Sequence, residues 1–412
     1  MNSTNTIHQI ATGREGSLFE ADMAAVEIPL REAISNKRIL VIGGAGSIGS
    51  STIFQLARRN PDVLHVIDQN ENGLAELVRQ LRSQPHAWSA RDLQTLPLDY
   101  GSGTMRHFLH AQAPYDLVLN FAAIKHVRSE KDPFSTLQMF ETNLVKQARF
   151  MGWLARTGFN GRFFTVSTDK AANPSSMMGA TKRVMEHVLF NSSVAAALPG
   201  VKTSARFANV AFSNGSLLQG FENRLARGEP LAAPKDTRRY FVSLVESGEL
   251  CAVAATLPPD RAIVIPKLNP ERHLVLLHEI AEKFIRHHGF DVAPYSDERA
   301  ACAGVGDERS KGRWPLLLTP LDTAGEKPYE EFMTAEEEEF EFGLPNLKAV
   351  QYAAASRSVI DQALIEAGQM LDAAVIDGAP LSKTRLKDII ALVEPRFLET
   401  HRDSTSNLDQ RL

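Results

Sequence analysis

The chain reads as an α/β protein built on an open sheet. Three features predict this. Arg38 to Ile42 is an apolar, strand-type run that feeds into Gly43-Gly44-Ala45-Gly46-Ser47-Ile48-Gly49, and Ser51 to Arg59 follows with apolar residues in helix-compatible positions. Val63 to Ile67 is a second strand and ends on Asp68. Tyr115 to Phe121 and Phe163 to Val166 are further short apolar runs, each breaking into polar residues where a core strand ends. In open α/β sheets, chemistry collects beyond the carboxyl ends of the strands.

Length and composition bound the reading. With 412 residues, 43% of them hydrophobic, the chain can bury a large core in two or three domains. A net charge of -4 gives no electrostatic footprint for nucleic acid. Cys251 and Cys302 suit neither a disulfide scaffold nor a paired-cysteine metal site. His287-His288 has no third ligand at metal spacing, so no metal is expected. No run reaches the length of a membrane span, and Glu15, Glu20 and Asp22 stand where a secretion signal would be basic and then apolar. A cytoplasmic enzyme without membrane insertion is the expectation.

Residues 1–36 form an arm that packs on the body or on a partner subunit. In the glycine loop, residues without side chains allow a tight turn and close backbone approach to a pyrophosphate. The helix N-terminus then presents free N–H groups and a positive dipole end. The strand before and the helix after give the glycine pattern its meaning, so Gly43, Gly46, Ser47, Ile48 and Gly49 are assigned to a dinucleotide. Asp68, roughly 20 residues past the loop, suits a ribose diol and would repel a 2′-phosphate, which favours NAD. Arg58, Arg59 and Arg79 keep NADP as the alternative. Leu74 to Leu81 reads as a helix and Leu96 to Asp99 as a short strand, with Asp99 near the adenine. Ala122 and Ala123 leave room for the cofactor to lie against the backbone. Lys125 and His126 stand at the strand end, His126 outside the catalytic set. Phe134 to Trp153 reads as one long helix, and the interior position of Asn143 predicts a tertiary hydrogen bond.

Ser167-Thr168-Asp169-Lys170 then sets a hydroxyl, a carboxylate and an amine together at a strand end. After the Asn173-Pro174 turn, Met178 and Lys182 share one helix face. Thr203 to Val210 and Ala262 to Ile265 read as strands, and Phe221 to Arg227, Val245 to Ala255 and Leu276 to His287 as helices. Residues 326–342 are acidic and aromatic. The run Glu336 to Glu339 reads as solvated, with the phenylalanines as anchors. Leu381 to Val393 is an amphipathic helix, a candidate for docking on another subunit, and the polar tail after Phe397 reads as disordered.

The glycine loop resembles that of the extended short-chain dehydrogenases/reductases. Phe121-Ala122-Ala123-Ile124-Lys125-His126-Val127, Ser167-Thr168-Asp169-Lys170-Ala171-Ala172-Asn173-Pro174 and Met178-Gly179-Ala180-Thr181-Lys182-Arg183 look like one subgroup. That subgroup is the polysaccharide-biosynthesis nucleotide-sugar 4,6-dehydratases acting on UDP-N-acetylglucosamine. The resemblance covers residues 36–290 or so. It implies a doubly wound parallel-sheet (Rossmann) domain over 37–210 that holds NAD tightly, a smaller mixed substrate region over 211–300, a C-terminal extension over 301–412, and a homo-oligomer. It implies C4 oxidation, loss of water across C5 and C6, and hydride return to C6, with C5 inversion open. Lys170 is then the base at C5 and Asp169 the acid at O6. Thr168 orients the 4-hydroxyl, and Lys182 holds the nicotinamide ribose. Asn209 and Ser216 hold the diphosphate, and Arg239, Lys267, Lys125 and Asn143 are the remaining substrate contacts.

Three positions depart from the pattern. Ile42 replaces a usual threonine, Ala208 a usual glycine, and Met178 the superfamily's tyrosine. A thioether cannot shuttle a proton, but some members of the subgroup also carry methionine there. A working Lys170 base needs a lowered pKa, which burial beside the nicotinamide would supply. Two other readings use the same loops. A nucleotide-sugar 4-epimerase needs no acid at C6, and a non-enzymatic NAD-binding sensor gives the Asp169-Lys170 pair no role.

Overall fold

The structure is a computed structural model and describes residues 3–83, 90–125, 130, 132–320, 327 and 329–401. Short apolar runs become strands because successive side chains point to opposite faces and both faces are covered. In β1 (Arg38–Ile42), Ile39 and Val41 enter one core while Leu40 and Ile42 enter the other. The same alternation holds in β2 (Val63–Ile67), β4 (Leu117–Asn120) and β5 (Arg162–Val166). Each fully buried aliphatic side chain contributes about 1.5–3 kcal/mol relative to exposure, so these strands cannot slip by one residue.

With β3 (Asp92–Leu96), β6 (Val201–Ala205) and β10 (Ala262–Pro266), these strands lie parallel in the order β3-β2-β1-β4-β5-β6-β10. This is the doubly wound order, and it reverses at β1 and β4. Helices Glu20–Ile34, Ser47–Ala57, Glu71–Ser83 and Leu244–Thr256 pack one face. Helices Gly103–Ala111 and Lys146–Leu154 and the end of Met177–Asn191 pack the other. The N-terminal arm therefore settles on the body of its own chain, through Met23, Val26, Leu30 and Ile34.

Several elements differ from the sequence expectation. The third strand is Asp92–Leu96, a half-exposed edge, and Asp99 lies in the loop beyond it. The long helix is interrupted by a π turn at Glu141–Val145, which carries Asn143. The single strand expected over 203–210 divides: β6 stays in the main sheet, while β7 (Asn209–Val210) leaves it to pair with β9 (Arg238–Val242). That divergence separates Asn209 from the main sheet and places it on the smaller one with Arg239.

β11 (Leu274–Leu276) completes the small sheet β11-β9-β7. β8 (Leu231–Pro234), β12 (Asp291–Tyr295) and β13 (Arg313–Thr319) form another, over a core that includes Phe221, Phe284 and Trp314. The last segment returns to the main sheet. β14 (Glu338–Phe340) and β15 (Leu347–Gln351) form an antiparallel pair on β10. Exposed Glu338 and Glu339 charge this edge, which discourages further strand pairing. Glu337 does not follow the solvated reading: it is 4% exposed and joined to two arginines. Phe332 and Phe342 do pack on the core. Helix Lys383–Val393 buries Leu386, Ile389 and Ile390 against helices Met177–Asn191 and Arg357–Ile376 of the same chain. Its apolar face is thus covered without a second subunit. Among the described residues, no helix is long and apolar enough to cross a membrane.

Candidate active site

The glycine loop is fixed by sterics. Gly43 has φ +75°, and a Cβ there would stand 2.7 Å from the Ala122 nitrogen. A Cβ on Gly49 would stand 2.3 Å from the Gly43 carbonyl oxygen. Helix Ser47–Ala57 begins at Gly46 with no side-chain cap, so its first N–H groups are left for a ligand. These residues line a cleft of about 710 Å³ with Asp68, Asp99, Ala122, Ala123 and Lys125. Asp68 is oriented by the Ala45 and Asn70 amides, which donate to its two oxygens at 3.0 and 2.9 Å. Asp99 accepts from Lys146 Nζ at 2.6 Å and from the Gly101 amide at 2.8 Å. Burial works to raise its pKa, but these donors hold the carboxyl below its usual range.

The arginines that kept NADP in view do not line this cleft. Arg59 is buried against Glu27 of the arm helix and Gln55, Arg58 bonds Gln55, and Arg79 pairs with Glu76 on an exposed face.

A second cleft of about 470 Å³ shares Ile48, Phe121, Ala123, Lys125 and Val166 with the first, and the two form one trough. Its floor is the loop after β5. Thr168 Oγ donates to Asp169 Oδ1 at 2.8 Å, and Lys170 Nζ stands 3.3 Å from the same oxygen. Asp169 is 2% exposed. The loop lies tightly on helix Met177–Asn191, because a Cβ on Gly179 would sit 2.4 Å from the Lys170 carbonyl oxygen. Ser176 caps that helix through the Gly179 amide at 3.1 Å. Met178 and Lys182 then face the trough one turn apart. Lys182 Nζ donates to the Val166 carbonyl at 2.6 Å, and burial pushes its pKa down to about 7, against the pull of Glu186.

The expectation of a lowered Lys170 pKa is not met in the protein by itself. Burial acts downward, but the carboxylates of Asp169 and Glu330 outweigh it and raise the value. Lys125 stands exposed where the two clefts join, and partial desolvation by the cleft walls lowers its pKa.

Asn209, Ser216 and Arg239 also line the second cleft. Ser216 Oγ caps helix Leu217–Arg227 by accepting from the Gln219 amide at 3.1 Å. Arg239 is 4% exposed and donates to the carbonyls of Arg238 and Lys327 at 2.8 and 3.0 Å. Two expected substrate contacts lie elsewhere. Asn143 makes the tertiary hydrogen bonds its interior position predicted, to both backbone groups of Ile124 and to Thr181 Oγ, and so braces the loop carrying Lys125. Lys267 bonds Glu341 and the Leu344 carbonyl in a separate cleft with Phe332 and Lys348. His126 lies outside the described residues.

Some participants escape sequence reasoning. Glu330 reaches Lys170 from the acidic segment, and no spacing marks it. Below the loop lies a buried ion cluster. Arg206 forks to Glu186 and Glu337, Arg183 bonds both of them and Glu394, and Ser167 Oγ donates to Glu186 at 2.6 Å.

Comparison with known proteins places the fold and the family. A family model described as "Polysaccharide biosynthesis protein" matches residues 39–351. An uncharacterised membrane protein of Methanocaldococcus jannaschii is 30% identical over 261 residues, 62% of this chain and 74% of that one. The capsular polysaccharide biosynthesis protein CapD of Staphylococcus aureus is 29% identical over 275 residues, 66% of this chain but only 43% of its own length. A UDP-N-acetylglucosamine 4,6-dehydratase (inverting) of Campylobacter jejuni is 25% identical over 254 residues, 60% of this chain and 72% of that one. Among solved structures, Pen from Bacillus thuringiensis superposes with a TM-score of 0.60 at 20% identity, covering 81% of this chain and 98% of that one. The UDP-N-acetylglucosamine 4-epimerase of Methanobrevibacter ruminantium, solved with UDP-N-acetylmuramic acid, gives 0.51 at 14% identity, covering 73% and 90%. At such identities the structural likeness speaks for the fold alone. The family model spans most of the chain, and the chain belongs to the polysaccharide biosynthesis protein family.

Proposed function

We propose that the protein is an NAD-dependent oxidoreductase acting at C4 of a UDP-sugar. The observation that carries this is the continuous trough. A glycine loop and uncapped helix N-terminus stand at one end, and Asp169, Lys170 and Lys182 line the second cleft at the other. The dehydratase among the similar sequences acts on UDP-N-acetylglucosamine by name, which supports this substrate class.

The residues present fit NAD. The backbone approaches closely at Gly43 and Gly49, the helix N–H groups suit a pyrophosphate, and the Asp68 carboxylate can accept from the hydroxyls of a ribose diol. When bound, NAD supplies the acceptor for the C4 hydride and returns that hydride to the sugar. The chain's own groups supply the rest: Lys182 orients the ribose, Thr168 orients the 4-hydroxyl, whose proton leaves through Lys170 or a water relay because Met178 cannot accept it, and Asn209 and Arg239 hold the nucleotide diphosphate. A guanidinium offers that group two fixed donors.

Within this class, elimination is the finer reading. Lys170 removes the C5 proton and Asp169 delivers one to O6, which leaves as water. Lys170 Nζ and Asp169 share a hydrogen bond in one buried loop, so passage of that proton from the ammonium to the carboxylate gives the amine and the acid that this pair of transfers needs. Epimerisation at C4 is the second reading: it needs no base at C5, and the raised Lys170 pKa favours it. C4 oxidation is common to both and is the better supported part.

Incubation with UDP-N-acetylglucosamine, followed by product mass, tests the assignment. Loss of one water supports elimination, and an unchanged mass with altered C4 configuration supports the epimerase. No turnover of UDP-N-acetylglucosamine or UDP-glucose removes the UDP-sugar reading.

A cofactor comparison tests the other end of the trough. NAD should bind at least roughly tenfold tighter than NADP, a difference of about 1.4 kcal/mol, because Asp68 would repel a 2′-phosphate. Tighter NADP binding overturns the role given to Asp68.

A further inference from the structure

The reaction loop carries a third carboxylate, from a part of the chain remote in sequence. Glu330 lies between β13 and β14, is 5% exposed, and places Oε1 3.9 Å from Lys170 Nζ. Asp169 Oδ1 stands 3.3 Å from the same nitrogen. The segment is tied to the loop by several bonds. Lys327 Nζ donates to the Asn173 carbonyl at 2.5 Å, Asn173 Nδ2 donates to Glu331 at 2.9 Å, and Arg239 donates to the Lys327 carbonyl at 3.0 Å. The groups facing Glu330 are Lys170, Asp169, Arg239 and Lys327, and those facing Lys170 are Asp169, Glu330 and Arg239. Burial by itself favours the uncharged form of an amine, and each carboxylate beside it favours the cation. A second carboxylate in this position therefore acts on Lys170 even without touching substrate.

We propose that Glu330 is a positioning residue of the reaction centre: it shares the Lys170 ammonium with Asp169 and governs whether that amine is charged. The part of this that concerns catalysis rests on the proposed function, in which Lys170 is the base at C5. The charge relation itself does not.

Glu330→Gln keeps the shape and removes the charge. An opposite charge within about 4–6 Å moves a pKa by roughly 1–3 units, so Lys170 should be freed by at least about one unit. Its acylation by acetic anhydride at one mildly alkaline pH, followed by mass spectrometry, should then run about tenfold faster than in wild type. Labelling of Lys182 serves as the internal control and should not change. Glu330→Asp withdraws the carboxylate by one methylene and should give an intermediate rate. It decides the matter alone if Glu330→Gln does not fold. An unchanged or slower Lys170 rate, or an equal rise at Lys182, overturns the proposal. With a turned-over UDP-sugar, the limb of kcat/KM that requires free amine should move toward lower pH by about one unit in Glu330→Gln. A purely structural role leaves that limb in place. If wild type turns over no UDP-sugar, the proposed function fails while the labelling comparison still stands.

Discussion

Arg206→Leu should destabilise the protein by about 3–5 kcal/mol, the usual cost of removing one partner from a buried ion pair. Arg206 is fully buried, and its guanidinium holds Glu186 at 2.8 and 2.6 Å and both oxygens of Glu337 at 2.7 Å. Removing it leaves two buried carboxylates sharing Arg183. Arg206→Lys should recover only part of the loss, because an ammonium cannot fork to two carboxylates in fixed geometry.

The pH dependence has a definite sign. Burial would raise the Glu337 pKa, but Arg206 and Arg183 hold it down at about 2, and Glu186 is also lowered. A carboxyl depressed on folding contributes stability that is full above its unfolded value of 4.5 and is lost as pH falls toward about 2. Urea midpoints measured at neutral pH and at acid pH for wild type and Arg206→Leu check both claims. The gap between the two proteins should narrow in acid. Equal midpoints at neutral pH would mean that the cluster is energetically neutral.

Much of the nucleotide half of the site is legible in the sequence, because its constraints are local. Gly43 and Gly49 are required by backbone contacts within one turn and the adjacent strand end, and Asp68 by the length of one strand–helix–strand unit. The Thr168-Asp169-Lys170 group is legible because it follows directly on a buried strand. What stays hidden depends on residues distant in the chain. Glu337 sits in a run of four glutamates and is set apart from its neighbours by Arg183 and Arg206, which helix Met177–Asn191 and the end of β6 bring to it. Glu330 and Lys170 are separated in the chain by residues 171–329. Asn143 looked like a substrate contact, but the π turn rotates it onto Ile124 and Thr181. Lys267 was expected near the sugar nucleotide, yet β15, laid antiparallel on β10, brings the Glu341 and Leu344 turn to it first. Hydrophobic period reports which face of a strand is buried. It does not report which charged partners meet there.

Asp169→Asn should separate elimination from epimerisation, and it rests on the same loop. Elimination of a 6-hydroxyl needs a proton delivered to a poor leaving group, and a positioned acid contributes roughly 10²–10⁴-fold to such a step. Asparagine keeps the side-chain shape and can still accept from Thr168 Oγ, which now donates at 2.8 Å, but it has no acidic proton to give. Water loss from UDP-N-acetylglucosamine should therefore fall by about 10²–10⁴-fold. Oxidation at C4 does not use this acid, so reduced cofactor should build up on the variant and show in its near-ultraviolet absorbance. The wild type should return its hydride within each turnover and accumulate little. The Asn variant also removes one of the two carboxylates at Lys170, leaving Glu330, so the C5 amine becomes easier to deprotonate. Exchange of the C5 proton with solvent deuterium should consequently survive in the variant while the 6-hydroxyl stays in place. Retained exchange without water loss assigns Asp169 to the leaving group. Undiminished water loss would take that role from it. Absence of both reduced cofactor and exchange, in a folded variant, would move Asp169 to the first step, the removal of the 4-hydroxyl proton that Met178 cannot accept.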